Sequence, residues 1–464
     1  MVKKTITVDI EEDGAGEKYV FAKNISTALG AVLYDPALRF TAVGPLHTNT
    51  FRRDKDAEPL VCNFPLRELL ETHSYVDAVA LELDGEMPDS KRRAEVADKL
   101  IQPITDLDEP TFSLLKNIAD SDKKNENPSL VTSELLMVLA RGYDKQFIRI
   151  RTASPDTLIT KISEMQASNK EICFEVSAFM PLLLAIVYRV QNGTLESFSL
   201  PDKSKLNGSY AANLAYMMFG DPNKDAKSYE GSIEEAVFDT LLTITIDGGQ
   251  NAAITAAEVA ASTDDRGNNP CAVQSVAVIT RSGNLHGGAC KAAYEELLKI
   301  QEKINSEGLN TQKAVSEYIN ERLEGKNVIY GFGTRKTNAS GQADARSTML
   351  KESIKGYLKK VEGDGNLHYS NDHISDTQRL LANTKQLLEI AEELEQQVKN
   401  LEKFKGRLFA NYDLYSGILL GLSGIDPTLT SNFMYTGRAP SVMQHVKQYV
   451  EEAEGILSAR MLST

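Results

Sequence analysis

The 464-residue chain is short of positive charge: 51 lysines and arginines against 65 aspartates and glutamates leave a formal charge of -14. That balance argues against nucleic acid or an anionic membrane as the main partner. No apolar run approaches the roughly 18 to 20 residues that a membrane span requires. The start, Met1-Val2-Lys3-Lys4-Thr5-Ile6-Thr7-Val8, alternates like a strand and lacks the apolar centre of a signal peptide, so a cytoplasmic protein is expected. Cysteine is scarce. Cys62, Cys173, Cys271 and Cys290 show no CxxC or metal-ligand spacing, so free, mostly buried thiols are expected and no metal site. Nucleotide-binding loops are missing too, because Gly331-Phe332-Gly333 and Gly287-Gly288 form neither GxGxxG after a strand nor GxxxxGK[ST]. There is no internal repeat and no low-complexity linker.

What is present is a hydrophobic content of 42%, enough for a substantial core. The length suits two domains, or one large helical body with a smaller appendage. Residues 1–65 alternate apolar and polar positions in short runs at 5–10, 18–22 and 39–43, separated by turn residues, which predicts a small β-rich module. From residue 65 the period becomes helical. Pro65 stands where a helix can begin, and Leu66, Leu69 and Leu70 share a face. A helix over 79–83 should stop at Gly85-Glu86-Met87-Pro88, and 181–189 is too apolar for a surface helix. The run 209–220 carries methionines and aromatics that read as core packing. Ser232 followed by Glu235 is a capping-box pattern for a helix running to Ile246. An alanine-rich helix over 252–261, an amphipathic helix over 311–324 and a long charged one over 376–406 complete the pattern.

The centre of the chain is Ser282-Gly283-Asn284-Leu285-His286-Gly287-Gly288-Ala289-Cys290, where glycines beside a lone histidine let backbone approach a ligand closely. Two stretches belong with it. Upstream is Asp247-Gly248-Gly249-Gln250-Asn251-Ala252; downstream, Gly331-Phe332-Gly333-Thr334-Arg335 precedes Asp344-Ala345-Arg346. Taken together these resemble the citrate synthase family, whose motifs read roughly HADHEQNA, GPLHGGAN and GFGHR…DPR. The likeness runs from about Asp35 to Arg460 and includes Tyr34-Asp35-Pro36, Asn63-Phe64-Pro65-Leu66-Arg67-Glu68-Leu69-Leu70 and Gly85-Glu86-Met87-Pro88.

The resemblance implies carbon-carbon bond formation from a thioester, which needs a base for the α-proton, a donor to the enol oxygen and a donor to the acceptor carbonyl. Asp344 matches the family's base, with Ala345 in place of proline. His286 matches the histidine that polarises the keto group, with Asn284 in place of proline. The enol-stabilising histidine is missing, since Gly248 falls on it; Thr245 and Thr334 replace two other family histidines. Asn411-Tyr412-Asp413-Leu414-Tyr415-Ser416-Gly417 matches NVDFYSG, Arg438 and His445 fall on a family arginine and histidine, and Arg460 lies close to the family arginine that reaches the neighbouring subunit, which implies a homodimer.

The resemblance therefore implies a mostly α-helical fold with a β-rich module at 1–65, a large helical domain at 66–289 and 401–464, and a small helical domain at 290–400. Expected catalytic residues are His286 and Asp344. Arg346, Arg438, Arg460 and the open position at Gly248 are expected to bind a small-molecule carboxylate. Gly331, Gly333, Arg335 and Asn411 are expected to face acyl-CoA, taken as a co-substrate with no permanently bound cofactor. The expected function is an acyltransferase acting on an acyl-CoA and a 2-oxo acid or related carboxylate. The lost imidazoles leave a noncatalytic carboxylate- or partner-binding homologue open as an alternative, and the same constellation would also serve a citryl-type thioester lyase or hydrolase.

Overall fold

In the computed structural model the chain separates into two units, residues 1–48 and 49–464. The structure describes residues 11–12, 18–19, 51–53, 58–122, 127–147, 155–220, 223–247, 249, 251–264, 268–283, 286–333, 344–364, 367–370, 374, 376–402, 404 and 408–452. In the first unit β1 (Glu11–Glu12) pairs antiparallel with β2 (Lys18–Tyr19), Glu11 opposite Tyr19. The strands expected at 5–10 and 39–43 lie outside the described residues.

The second unit opens on an antiparallel sheet of β3 (Phe51–Arg53), β4 (Pro59–Val61) and β5 (Phe64–Pro65). Between β4 and β5 the two turn residues, Cys62 and Asn63, both take left-handed backbone, with φ of 47° and 67°, as a tight hairpin requires. Helices follow: α1 (Leu66–Thr72), α2 (Tyr75–Asp84), α3 (Ser90–Lys99), α4 (Gln102–Thr105), α5 (Glu109–Ser121), α6 (Pro128–Gly142) and the long α7 (Pro155–Gln191). After them come α8 (Tyr210–Phe219), α9 (Ile233–Ile244), α10 (Ala252–Ser262), α11 (Pro270–Arg281), α12 (Ala289–Glu307), α13 (Thr311–Glu324), α14 (Ala345–Lys359), α15 (Thr377–Asn400), α16 (Asp413–Leu422) and α17 (Thr430–Glu452). The protein is mostly helical, as the sequence implied.

Several boundaries follow local chemistry. Helix α2 ends at Gly85, whose φ of 83° places it in the left-handed region where a glycine cap is favoured. At the start of α9, Ser232 accepts the Glu235 N–H as expected. The reciprocal half of the capping box does not form, because the Glu235 carboxylate takes the Gly231 N–H at 2.7 Å and the Ser209 hydroxyl. The helix expected to reach residue 406 stops at Asn400, since Leu401 is extended.

One sequence-based expectation is corrected. The 30-residue stretch Ile162–Gln191 within α7 is long and apolar enough to cross a membrane by length and composition, but 89% of its apolar window is buried inside the protein. Helices α17, α8 and α6 pack against it, so its apolar faces are consumed by the core.

Two prolines sit inside buried helices, Pro181 in α7 and Pro440 in α17. Each lacks the N–H that would reach back four residues, which frees the carbonyls of Ser177 and Thr436. Tyrosine hydroxyls take them over. Tyr210 donates to the Ser177 carbonyl at 3.0 Å, and Tyr75 donates to those of Thr436 and Gly437 at 3.2 and 3.0 Å. The two rings touch, with centroids 4.8 Å apart. Tyr210→Phe leaves a buried carbonyl without its donor and is expected to cost about 1–3 kcal/mol of unfolding free energy. A urea titration showing a loss of only a few tenths would mean that the hydroxyl is idle.

Candidate active site

Helix α9 delivers the first motif. The residue that caps its C-terminus, Thr245, is fully buried, and its hydroxyl turns back onto the Leu241 and Leu242 carbonyls at 2.8 and 3.1 Å. Helix α17 crosses at Gly437, where an added Cβ would lie 2.4 Å from the Thr245 hydroxyl and 2.6 Å from the Leu242 carbonyl. That approach leaves little room for a larger side chain at position 245. Asp247 follows, fully buried, accepting the Gly249 N–H at 2.7 Å and facing His445 Nε2 at 3.5 Å. Burial alone would raise the Asp247 pKa; His445, the Gly249 N–H and Arg438 outweigh it and hold the carboxyl well below the usual range. Asn251 then caps α10 through the Ala253 and Ile254 N–H groups.

Helix α11 ends at Arg281 and the chain turns through Gly283 to His286 and Gly287. The turn is closed by the His286 and Gly288 N–H groups, both donating to the Gly283 carbonyl, and is tied to α17 by the Ser431 hydroxyl on the Gly287 carbonyl at 2.6 Å. A Cβ on Gly287 would meet the Arg281 carbonyl at 2.7 Å and the Tyr435 hydroxyl at 3.1 Å, so this position needs glycine. His286 is half-buried. Burial first, then Arg281 and Arg438, push its pKa down to about 3, with the Thr280 carbonyl opposing, so the imidazole is neutral at neutral pH.

Arg438, on α17, is 5% exposed and donates through Nε to the Thr245 carbonyl at 3.0 Å. Burial and the neighbouring Arg281 lower its pKa to about 9, which leaves it charged at neutral pH. Its Nη2, and Nε and Nη1 of Arg281, have no hydrogen-bond partner among the described residues.

The other side of the site begins where Gly331 to Gly333 runs beside Phe409 to Asn411. Asn411 N–H donates to the Gly331 carbonyl at 2.9 Å, Gly333 N–H to the Phe409 carbonyl at 2.8 Å, and the Asn411 amide to the Gly333 carbonyl at 3.1 Å. Gly331, with φ of 81°, has Leu414 Cβ only 2.9 Å from where its own Cβ would be. Asp344 is fully buried at the start of α14, where it caps the helix through the Arg346 N–H and receives the Arg346 guanidinium on both oxygens, at 3.1 and 2.8 Å. Burial works against the Arg346 charge, but Asp344 outweighs it and holds the arginine above its ordinary pKa. The same guanidinium lies over the Tyr412 ring at 4.4 Å. Next to Tyr412, burial pushes Asp413 up to about 6, and its carboxylate accepts the Cys290 thiol at 2.9 Å.

The fold thus gathers Asp247, His286, Arg438 and His445 into one electrostatic neighbourhood, and Asp344, Arg346 and Asp413 into another, while Asn411 joins the segment 331–333; Arg346 and Arg438 sense each other's charge. Gly248, Arg335 and Arg460, with Asn284 and Thr334, lie outside the described residues. Sequence reasoning missed Arg281 and Glu82. A cation in the last turn of a helix ordinarily reads as a solvated complement to the helix dipole, so nothing local announced that Arg281 is 2% exposed. Glu82, on α2, is fully buried with neither oxygen hydrogen-bonded among the described residues, and it interacts electrostatically with Asp247 and Arg438.

The chain is similar to known proteins. The chain is 26% identical over 413 residues to the citrate/2-methylcitrate synthase of Bacillus subtilis (strain 168), covering 89% of this chain and 92% of that protein. It is 26% identical over 450 residues to a citrate synthase of Helicobacter pylori, covering 93% and 91%. Among solved structures, a ternary complex of Thermoplasma acidophilum citrate synthase with carboxymethyl coenzyme A and oxaloacetate superposes with a TM-score of 0.69 at 18% identity, covering 91% of this chain and 94% of that one. Citrate synthase from Pyrobaculum aerophilum gives 0.67 at 21% identity, covering 99% and 96%. These structural likenesses establish a shared fold. The family model described as citrate synthase, C-terminal domain, matches residues 39–458, which takes in every described element from β3 to α17, and on that extent the chain belongs to the citrate synthase family.

Proposed function

We propose that the protein is a diverged acyltransferase of this family, joining the α-carbon of an acyl-CoA to the carbonyl carbon of a 2-oxo acid or related carboxylate. The observation that carries the reading is His286: an imidazole kept neutral by burial and by two arginines, beside guanidinium N–H groups with no hydrogen-bond partner among the described residues. A neutral imidazole donates one N–H without adding a charge, and the arginines supply a fixed positive field where the acceptor oxygen becomes an alkoxide. In the step itself Asp344 takes the α-proton, the enol carbon bonds to the keto carbon, and the keto oxygen stays on that carbon and takes up a proton from His286 to become a hydroxyl; water then attacks the thioester carbonyl, which leaves a carboxylate and releases the CoA thiol. Asp344 is a weak base while Arg346 fills both its oxygens, so the reading requires Arg346 to turn its fork onto a substrate carboxylate first. Gly331, Gly333, Arg335 and Asn411 form the acyl-CoA side in this proposal, the position of Gly248 gives the acid ligand room, and Arg460 is lent by the partner subunit of a homodimer.

A second reading, a noncatalytic carboxylate-binding homologue, is favoured by that same Asp344–Arg346 pair and by the back-bonded Thr245 where the family has a histidine. Turnover separates the two. The full-length protein is incubated with acetyl-CoA or propionyl-CoA and a panel of 2-oxo acids, and thiol release and product mass are followed. The expected result is CoA release that depends on a 2-oxo acid and falls about 10²- to 10³-fold in His286→Ala. Carboxylate binding with no product from any pair would give the second reading the field.

A further inference from the structure

Helix α12 begins where the His286 turn ends, with the Ala289 N–H donating to the His286 carbonyl at 3.1 Å. About two turns further along, adjacent glutamates part company. Glu295 stays at the surface opposite Lys291, whereas Glu296 is 4% exposed. One Glu296 oxygen takes the Arg322 guanidinium of α13 at 2.9 Å, and the other takes the Tyr330 N–H at 3.1 Å. Arg322 also donates to the Val328 carbonyl, through Nε at 3.0 Å and through Nη2. The peptide groups on both sides of Ile329, a buried residue, are therefore held just before Gly331. Burial raises the Glu296 pKa, and Tyr318, Arg322 and the Tyr330 N–H oppose the shift. On its far side the segment 331–333 is bonded to 409–411. A buried ion pair adds little net stability over apolar side chains of similar volume, but its hydrogen bonds are directional and close on one backbone arrangement. What Glu296 supplies is accordingly a fixed position.

We infer that Glu296, acting through Arg322 and the Tyr330 N–H, is a positioning residue for acyl-CoA: it ties the segment 331–333 to the helix that carries the His286 turn. The inference rests on the proposed function in taking Gly331 and Gly333 as part of the acyl-CoA side, and it adds a residue that no motif of the sequence singled out. One helix thereby sets the spacing between the imidazole and the backbone that faces the thioester, where a displacement of about 1 Å is enough to misalign a bound group. Without the carboxylate, Arg322 loses the partner that aims its fork at Val328, and the Tyr330 N–H loses its acceptor. The segment then keeps its bonds to 409–411 and loses its tie to α12. Affinity for the CoA ligand falls, while a 2-oxo acid, which meets His286 and Arg438 on the other side, is spared.

The test uses the full-length protein and CoA itself, which has no acyl group to transfer, so that binding is read apart from turnover. CoA binding is measured by calorimetry with and without oxaloacetate, alongside oxaloacetate binding alone and the melting temperature, for wild type, Glu296→Ala, Glu296→Gln and Arg322→Lys. The expected outcome is CoA binding that weakens on the order of tenfold in Glu296→Ala and about threefold in Glu296→Gln, whose amide oxygen still accepts the Tyr330 N–H. Oxaloacetate affinity should stay within about twofold of wild type in both. Wild-type CoA affinity in a folded Glu296→Ala, or equal losses for CoA and oxaloacetate, would overturn the positioning role, the second result leaving Glu296 a purely structural residue. If Glu296→Ala fails to fold, Arg322→Lys decides, because its ammonium keeps the charge opposite Glu296 without a fork for the Val328 carbonyl as well. Weaker CoA binding at a normal melting temperature then upholds the role, and unchanged affinity refutes it. No CoA binding by wild type would overturn both this role and the acyl-CoA side of the site; CoA binding without turnover, weakened in Glu296→Ala, would uphold the role and reject only the enzyme.

Discussion

Asp344→Ala is expected to lower the unfolding free energy by about 3–5 kcal/mol, because it strands the buried Arg346 charge. Loss of the α14 cap adds to the effect, by about 1 kcal/mol in a typical helix. The pair is closed on both oxygens and its carboxylate is fully buried, so water cannot take over from either partner. Removing the other side as well should return part of the loss: Asp344→Ala with Arg346→Met leaves no uncompensated charge, and the double variant should be more stable than Asp344→Ala alone. Denaturant unfolding of the four proteins in the cycle measures this. A loss under about 1 kcal/mol in Asp344→Ala would show that the pair is dispensable. The result also bears on catalysis, since lost turnover in an Asp344 variant speaks for a missing base only where folding has been checked.

The opposite sign is expected at Glu82. Burial first, and then Asp247, raise the pKa of this carboxyl well above its ordinary value, with Arg438 opposing. In the unfolded chain the group ionises near pH 4.3. Above that pH folding must take up a proton, so Glu82 lowers stability progressively as pH rises toward its folded pKa, and has no such effect below the unfolded value. Glu82→Leu removes a buried carboxyl with no hydrogen-bond partner among the described residues and is expected to gain about 1–3 kcal/mol near neutral pH. The gain should shrink as the pH falls toward 4, where the ionisation-linked part is lost. Comparing variant with wild type at each pH cancels groups common to both, including His286, whose depressed pKa makes stability fall as pH drops below about 6.5 toward 3. Loss of stability in Glu82→Leu at pH 7.5, or an advantage independent of pH, would contradict this account.

The contrast between these residues shows what the sequence could and could not disclose. Helix starts and stops written in local chemistry were legible: Gly85 ends α2 and Ser232 opens α9 as expected. The placement of Asp247 near His445, 198 residues apart in the chain, was not read from the sequence, since only the packing of α17 brings them together. The Asp344–Arg346 contact was suggested by adjacency. Arg281 and Glu82 were not legible, because burial there is set by what packs from distant parts of the chain: α17 over Arg281, and α9, α17 and α8 around α2. The second half of the Ser232 capping box failed for a similar reason, since Ser209 and Gly231 compete for Glu235.

The paired tyrosines and prolines carry a consequence for how this sequence can drift. With Pro440 present, the Tyr75 hydroxyl is the donor that replaces the missing backbone N–H at the Thr436 carbonyl; with an ordinary residue at 440, the helix supplies that donor itself and the hydroxyl becomes partly redundant. Position 181 bears the same relation to Tyr210. Substitutions at 75 and 440, or at 210 and 181, are therefore epistatic across hundreds or tens of residues: a phenylalanine that is costly beside proline becomes cheap once the proline has gone. Since the two rings also touch, a change in one pair shifts the tolerance of the other, and four positions widely spaced in the chain constrain one another as a single mutational unit.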